Sequence, residues 1–386
     1  MLIAEQRHLR FPEVIPMLCL PSTHREPLFR AALLVALGLV AATSVFAQPA
    51  PDSVGRRRIQ PLPALGSAPE TGLQFGATVL AVWEPAPRLR TRPASLLASV
   101  LRTTKAQTRV RIEGERWSTG NARRIAGSLQ WQEFPLPFFG FGDRTPDSAE
   151  EIYTPTGTEA VLSAQQRIAG PWYVTAGVRH LDQKITADTV GVLRLGRITG
   201  SSGGVSTELS AGLQRDTRDN LFAPHAGQWL QLTYSHADDG LWSDFSYRTV
   251  RLDARSYHTI GLAHVIALQL QVTGVDGDAP FDALALVGNG DIMRGYKRGR
   301  YRDRWLRTAQ AEYRSPSWHR LGGVVFGGAG VSSSTLGDIS GQRILPTYGA
   351  GLRVQIDTRQ RTGVRADYGR GLDGASGLYI GFNQAF

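Results

Sequence analysis

The stretch that decides the fold runs from Gly288 to Pro316 and reads GNGDIMRGYKRGRYRDRWLRTAQAEYRSP. Gly288, Gly290 and Gly295 punctuate its first part around the tripeptide Arg294-Gly295-Tyr296. A dense basic run follows: Lys297, Arg298, Arg300, Arg302 and Arg304. The stretch ends in strict alternation, Ala309-Gln310-Ala311-Glu312-Tyr313-Arg314. Alternation of that kind gives a strand one polar and one apolar face. A glycine-rich basic loop therefore runs straight into a strand whose polar face carries Gln310, Glu312 and Arg314. Taken alone, such a loop could simply bind anionic lipid headgroups.

Outward from this stretch the period stays at two. Val110, Ile112 and Gly114 oppose Arg109, Arg111 and Glu113. Leu230, Leu232 and Tyr234 oppose Gln231 and Thr233, and Leu352, Val354 and Ile356 oppose Arg353 and Gln355. Val364, Ala366 and Tyr368 oppose Arg365 and Asp367. A soluble sandwich also alternates. Here one face is apolar while the other carries full charges, and the segments are long for soluble strands, which average about 5–6 residues. Trp83, Trp117, Trp131, Trp172, Tyr234 and Trp305 fall near segment ends, as interfacial girdles do. Only a closed barrel satisfies every strand's backbone in lipid. The fold class expected is an all-β, antiparallel transmembrane barrel over 72–386. Fifteen strands can be read directly, and closure needs an even number. Either Ile59–Leu65 or Val190–Leu195 supplies the missing one.

The start of the chain reads as an export signal. Arg25 and Arg30 flank an apolar core, 31–42, too short to span a bilayer, and Val45-Phe46-Ala47 suits cleavage. Residues 1–47 are therefore expected to be removed, with Met1 and Met17 both open as the start. The only cysteine, Cys19, lies in that segment, so no disulfide or thiolate metal site is expected beyond it. Residues 48–71, with Arg56-Arg57-Arg58 and five prolines, read as an extended periplasmic lead-in. The net charge of +10 suits anions. Behind an export signal these are membrane phosphates rather than nucleic acid.

The loop motif, the alternating strand and the terminal Phe386 together resemble the BamA/TamA superfamily of outer-membrane barrels, the bacterial surface antigen family. The resemblance covers roughly 60–386. It implies sixteen strands, five of them after the loop, and a bacterial outer-membrane location. It implies that Arg294 folds inward against acidic wall residues. Glu312 matches one such position. The second acid usually lies in a Phe-x-Asp-x-Gly pattern, but here Phe326-Gly327-Gly328-Ala329-Gly330 puts glycine there, so Asp367 is the remaining candidate. Asp216, Arg218, Asp219, Pro224 and Gly227 match a turn motif of the family, with residue types that also suit a structural turn. Leu378, Ile380, Gly381, Phe382 and Phe386 match a C-terminal signal read by the barrel-assembly machinery, with the aromatics facing outward. The family's periplasmic POTRA modules have no counterpart in the short lead-in.

The resemblance implies an insertase or translocase for polypeptides or lipids. Arg109, Arg111, Arg353 and Arg365, all on polar faces, would instead suit a passive anion-biased pore. A third possibility is a structural barrel that anchors a periplasmic partner through the lead-in. Expected partners are outer-membrane lipids, lipopolysaccharide and the assembly machinery, with no cofactor or metal. No His-Glu-x-x-His pair is present, and no enzyme activity is expected.

Overall fold

The computed structural model describes residues 56–85, 91–338, 340–358 and 361–386. The expected signal segment lies outside these residues. Within the unit Ser53–Phe386, sixteen strands follow one another in chain order, each antiparallel to the next, and the last returns to the first. They are β1 Arg56–Ala68, β2 Gly72–Glu84, β3 Ala94–Thr103, β4 Thr108–Trp117, β5 Arg123–Glu133 and β6 Glu151–Ala169. Then come β7 Trp172–Ala187, β8 Gly203–Asp216, β9 Gly227–Ala237, β10 Ser246–Ile260 and β11 His264–Asp278. After the long loop come β12 Trp305–Arg314, β13 Leu321–Ser333, β14 Leu345–Asp357, β15 Thr362–Arg370 and β16 Ser376–Phe382. Among the described residues no helix is long and apolar enough to cross a membrane.

Closure explains why charged and apolar residues alternate. Leu73, Phe75, Val79, Val110, Ile112, Leu232, Val250, Leu352 and Tyr368 are exposed on the outer wall. Their neighbours Arg109, Gln130, Asp253, Gln269, Glu312 and Asp367 face inward and are buried or half-buried. The outer surface thus offers lipid an apolar belt, and the polar groups pair inside. Tryptophans at strand ends divide. Trp83 and Trp131 face out, but Trp117 is buried inside, 4.6 Å from the Arg92 guanidinium. A cation over an indole face stabilises that inward placement.

Two sequence expectations change. The missing strand is β1, which contains Ile59–Leu65 and registers with β2 from Arg56↔Glu84 to Ala68↔Gly72. The barrel therefore begins inside the stretch read as a lead-in, at Arg56 rather than Gly72. The arginine cluster sits on the barrel: Arg57 lies 5.7 Å from the Trp83 ring and Arg58 pairs with Glu84 at 3.5 Å. Val190–Leu195 forms turns instead, and only Leu193 there is buried, against Phe138, Tyr153, Ile185 and Phe281. The β10–β11 turn falls at 261–263, where Gly261 and Ala263 take positive φ.

Connections alternate between a rim of short turns and a rim of long loops. The short-turn rim holds 170–171, 261–263 and 358–361; the long-loop rim holds 134–150, 188–202 and 279–304. Short turns face the periplasm in barrels of this kind.

One closure is unlike the rest. β1 and β16 share a single registered pair, Ser67↔Ile380. β15 and β16 share seven, from Val364↔Phe382 to Arg370↔Ser376. Two features of sequence weaken this seam. β16 stops at Phe382 because Asn383 turns the chain with φ 60°. The ladder of β1 with β2 runs unbroken through Pro61 and Pro63. Proline has no N–H, so the two missing donors fall on the edge that faces β16.

Candidate functional site

The loop 279–304 turns back into the barrel. A two-residue ladder, Ala285–Leu286 with Arg302–Asp303, closes its base. Val287, Ile292, Met293, Tyr296, Tyr301, Leu306 and Leu345 form one buried cluster around it. At its tip Arg294 is wholly buried. Its backbone is pressed against β15: a side chain at Gly369 would meet the Arg294 carbonyl carbon at 2.7 Å. Gly295, at φ 114°, lies so close to Arg370 that a Cβ would meet its backbone at 2.6 Å. Only glycine tolerates that conformation without strain.

The Arg294 guanidinium forks between two strands. Nη2 donates to Glu312 Oε2 of β12 at 2.8 Å, and Nη1 to Asp367 Oδ2 of β15 at 2.7 Å. All three side chains are fully buried. The guanidinium lies over Phe326 of β13, 3.5 Å from the ring centre. The structure brings Glu312 and Asp367 together as joint partners. Gly328 leaves no room for an acid on β13, since a Cβ there would meet the Ala309 carbonyl oxygen at 2.5 Å.

Around this fork the network extends. Arg314 Nε donates to Glu312 Oε1 at 2.9 Å. Arg353 Nη1 donates to Asp367 Oδ1 at 2.5 Å, and Arg365 Nη1 to Oδ2 at 3.4 Å. Arg365 Nη2 reaches Asp291 on the loop at 2.6 Å. Two buried carboxylates therefore hold four guanidiniums. This corrects one expectation: Arg353 and Arg365 are bound into the network and do not line the lumen as free charge, and Arg111 pairs with Glu113. Tyrosines complete the lock. The Gly295 N–H donates to the Tyr379 hydroxyl, which donates to the Tyr296 carbonyl, both at 2.9 Å. The Tyr296 hydroxyl donates to the Pro346 carbonyl at 2.7 Å and accepts from the Leu372 N–H at 2.8 Å. Burial pushes this phenol up to about 12, so it stays a neutral donor.

Arg302 is a second anchor. It is buried between Phe138 and Phe281, at 5.4 and 5.0 Å from the ring centres, and donates to the Phe281 carbonyl at 2.7 Å. It fastens the loop 279–304 to the loop 134–150. Sequence reading passed over Arg302, Phe326, Arg314 and Tyr379 as partners. Inward parity on their strands was the available signal for the last three.

At the short-turn rim the predicted turn motif forms a compact unit between β8 and β9. Asp216 pairs with Arg218 at 3.0 Å. Asp219 accepts the N–H groups of His225 and Ala226, at 2.9 and 3.1 Å, and pairs with Arg361 at 2.5 Å. Burial alone would raise its pKa, but those hydrogen bonds and Arg361 outweigh it and hold the carboxyl below its ordinary value. Gly227, at φ 99°, abuts the Thr217 carbonyl oxygen, and the Pro224 carbonyl accepts from Arg314 at 3.2 Å. Arg314 thus joins the turn motif to the loop lock.

The C-terminal signal divides. Leu378, Ile380 and Phe382 face outward from β16, and Gly381 lies beside Arg365. Phe386 does not face lipid. It is buried against Tyr257, Ala267 and Ala385. Its carbonyl accepts from Arg314 at 2.6 Å, and that guanidinium lies 5.6 Å from its ring and 5.7 Å from Tyr257. The turn at Asn383 and this cation–aromatic sandwich draw it into the barrel mouth. Among the described residues no group of three or more His, Cys, Asp or Glu side chains could hold a metal ion.

An antiparallel barrel of sixteen strands with an apolar outer belt, whose long loop locks an arginine inside, is a bacterial outer-membrane barrel. The Omp85 superfamily domain matches residues 96–386, and the chain belongs to that superfamily. No curated protein matches it. Among solved structures it is similar to BamA from Haemophilus ducreyi lacking POTRA domains 1–3, with 14% identity and a TM-score of 0.58 over 86% of this chain and 70% of that one. CdiB from Escherichia coli gives 12% identity and a TM-score of 0.59 over 87% and 63%. CdiB from Acinetobacter baumannii gives 15% and 0.54 over 86% and 66%. This chain thus spans about two thirds of each of these longer proteins.

Proposed function

We propose that this barrel is an insertase or translocase that passes polypeptide or lipid through its wall at the β1–β16 seam. The single pair Ser67↔Ile380 carries the reading. Strand edges unpaired in lipid are costly, yet this edge is left open by a short β16 and two prolines. Such an edge can take up a client strand by pairing with it. The loop lock supports the reading, because it braces β12, β14 and β15 with buried ion pairs and so confines opening to the seam. Membership of the Omp85 superfamily and the likeness to BamA and CdiB are in keeping with it. Outer-membrane lipids and a periplasmic client carrier are the partners proposed.

The test is a cross-strand disulfide. Residues directly opposite in a ladder have Cα atoms within disulfide range. S67C/I380C should fold, and once oxidised should stop inserting an unfolded barrel precursor into vesicles, with recovery on reduction. Undiminished insertion with the disulfide closed would refute the seam as the route. A second reading, a passive pore, draws on the solvated wall opposite the loop. There Arg111 and Glu113 pair at 2.6 Å with about two fifths of each side chain exposed. Conductance that persists in the oxidised variant would favour it.

A further inference from the structure

On the wall of β4 and β5, away from the loop lock, Arg109 is in an unusual position. It points into the lumen near the long-loop rim, with its guanidinium 4.3 Å from the centre of the buried Phe134 ring. Its one hydrogen bond among the described residues runs from Nη2 to Gln132 Oε1 at 3.1 Å. Its Nε is buried and has no partner. No carboxylate among the described residues forms an ion pair with it. Glu159, the acid whose charge bears on it, is held by Arg179 at 2.6 Å. The other charges that bear on it are both positive, Arg298 from the inserted loop and Arg111 two residues along the strand. Arg298 is exposed and makes no ion pair or hydrogen bond among the described residues. Its neighbours Lys297 and Arg300 pair instead with Glu150 and Asp147, at 3.3 and 2.8 Å. Arg111 spends Nε and Nη2 on Glu113, and its Nη1 reaches Gln130 only at 3.5 Å.

Arg109 and Arg111 thus lie two residues apart on the inward face of β4 with Glu113 as the carboxylate beside them, and the loop residue Arg298 is near enough for its charge to act on Arg109. Positive charges held together without counterions disfavour the folded state. In the loop lock this chain answers luminal arginine with acid, at Glu312 and Asp367. At Arg109 that acid is missing, and an unpaired N–H is left in place. We propose that Arg109, Arg111 and Arg298 form a luminal anion site that takes a phosphate group. Phosphate fits better than a carboxylate. It carries more charge and more oxygens, and guanidinium forks match its geometry. Gln132 positions Arg109, and Phe134 supports its face. The phosphate comes either from a lipid headgroup that enters the lumen or from free phosphate. The site is independent of whether clients pass through the seam.

The experiment is thermal unfolding of the full barrel in detergent, read by heat-modifiable mobility. Inorganic phosphate is titrated in one arm and short-chain phosphatidic acid in another, at constant ionic strength, with chloride as the control. A ligand bound only by the folded state raises the midpoint. The wild type should show a saturable rise that chloride does not give. R298Q and R109Q should each weaken the binding at least tenfold, which corresponds to about 1.4 kcal/mol. Arg298 is exposed, so R298Q carries the test even if R109Q folds poorly. Phosphatidic acid binding at least tenfold tighter than inorganic phosphate would identify the headgroup as the source; equal binding would identify free phosphate. No saturable rise with either probe overturns the proposal, as does a rise that R298Q leaves unchanged.

Discussion

Replacing Asp367 by asparagine should damage the barrel more than removing the arginine that the loop buries against it. Asp367 is fully buried and accepts from Arg294 at 2.7 Å, Arg353 at 2.5 Å and Arg365 at 3.4 Å. In the variant Glu312 is the only buried carboxylate left for four guanidiniums. Asp291, the other acid near Arg365, is mostly exposed. Breaking a buried pair by removing one partner costs about 3–5 kcal/mol, because the remaining charge is uncompensated. Arg294→Met has a different balance. Glu312 keeps Arg314 at 2.9 Å, and Asp367 keeps Arg353. No charge is orphaned, and the methionine stem still packs on Phe326. The loss is then two charged hydrogen bonds already shared with other donors, roughly 1.5–3 kcal/mol in all. The central values, about 4 and about 2 kcal/mol, put the expected gap on the order of tenfold in the unfolding constant, since 1.4 kcal/mol is tenfold. Urea titration of both variants in vesicles, followed by tryptophan fluorescence and heat-modifiable mobility, measures it. If Arg294→Met proves as costly as Asp367→Asn, the reasoning from excess positive charge fails.

Replacing Pro61 and Pro63 by valine restores two donors on the β1 edge, and should raise the unfolding midpoint while slowing precursor insertion into vesicles; a faster variant would count against the seam. Phe386→Ala removes a buried ring that sandwiches Arg314, and should cost about 3–5 kcal/mol in urea titration; an unchanged midpoint would mean that the ring does not seal the barrel mouth. Asp219→Asn should lower the thermal midpoint at neutral pH. Its carboxyl is held below 3.8, so its stabilising contribution is present above that value and lost as pH falls through the lower folded-state pKa. The gap between wild type and variant should therefore close in strong acid, and a gap that stays constant with pH would exclude this role.

The sequence by itself determined the wall. Alternation fixes which residues face lipid. It also marked Arg294 as inward, since three glycines around one arginine serve a close approach that a solvated loop does not need. Glu312 was legible from its parity on the next strand. Other features depend on neighbours distant in sequence. Asp367 becomes the second partner because β15 closes against β14 while Gly328 has no room for an acid, and both facts follow from register. Phe386 carries an outward-looking pattern, but one residue with positive φ and a waiting guanidinium turn it inside. β1 was legible only as one of two candidates for the missing strand, because its prolines argue against a strand locally. Only the closed sheet shows that their missing donors fall on the one edge where the barrel leaves its strands unpaired.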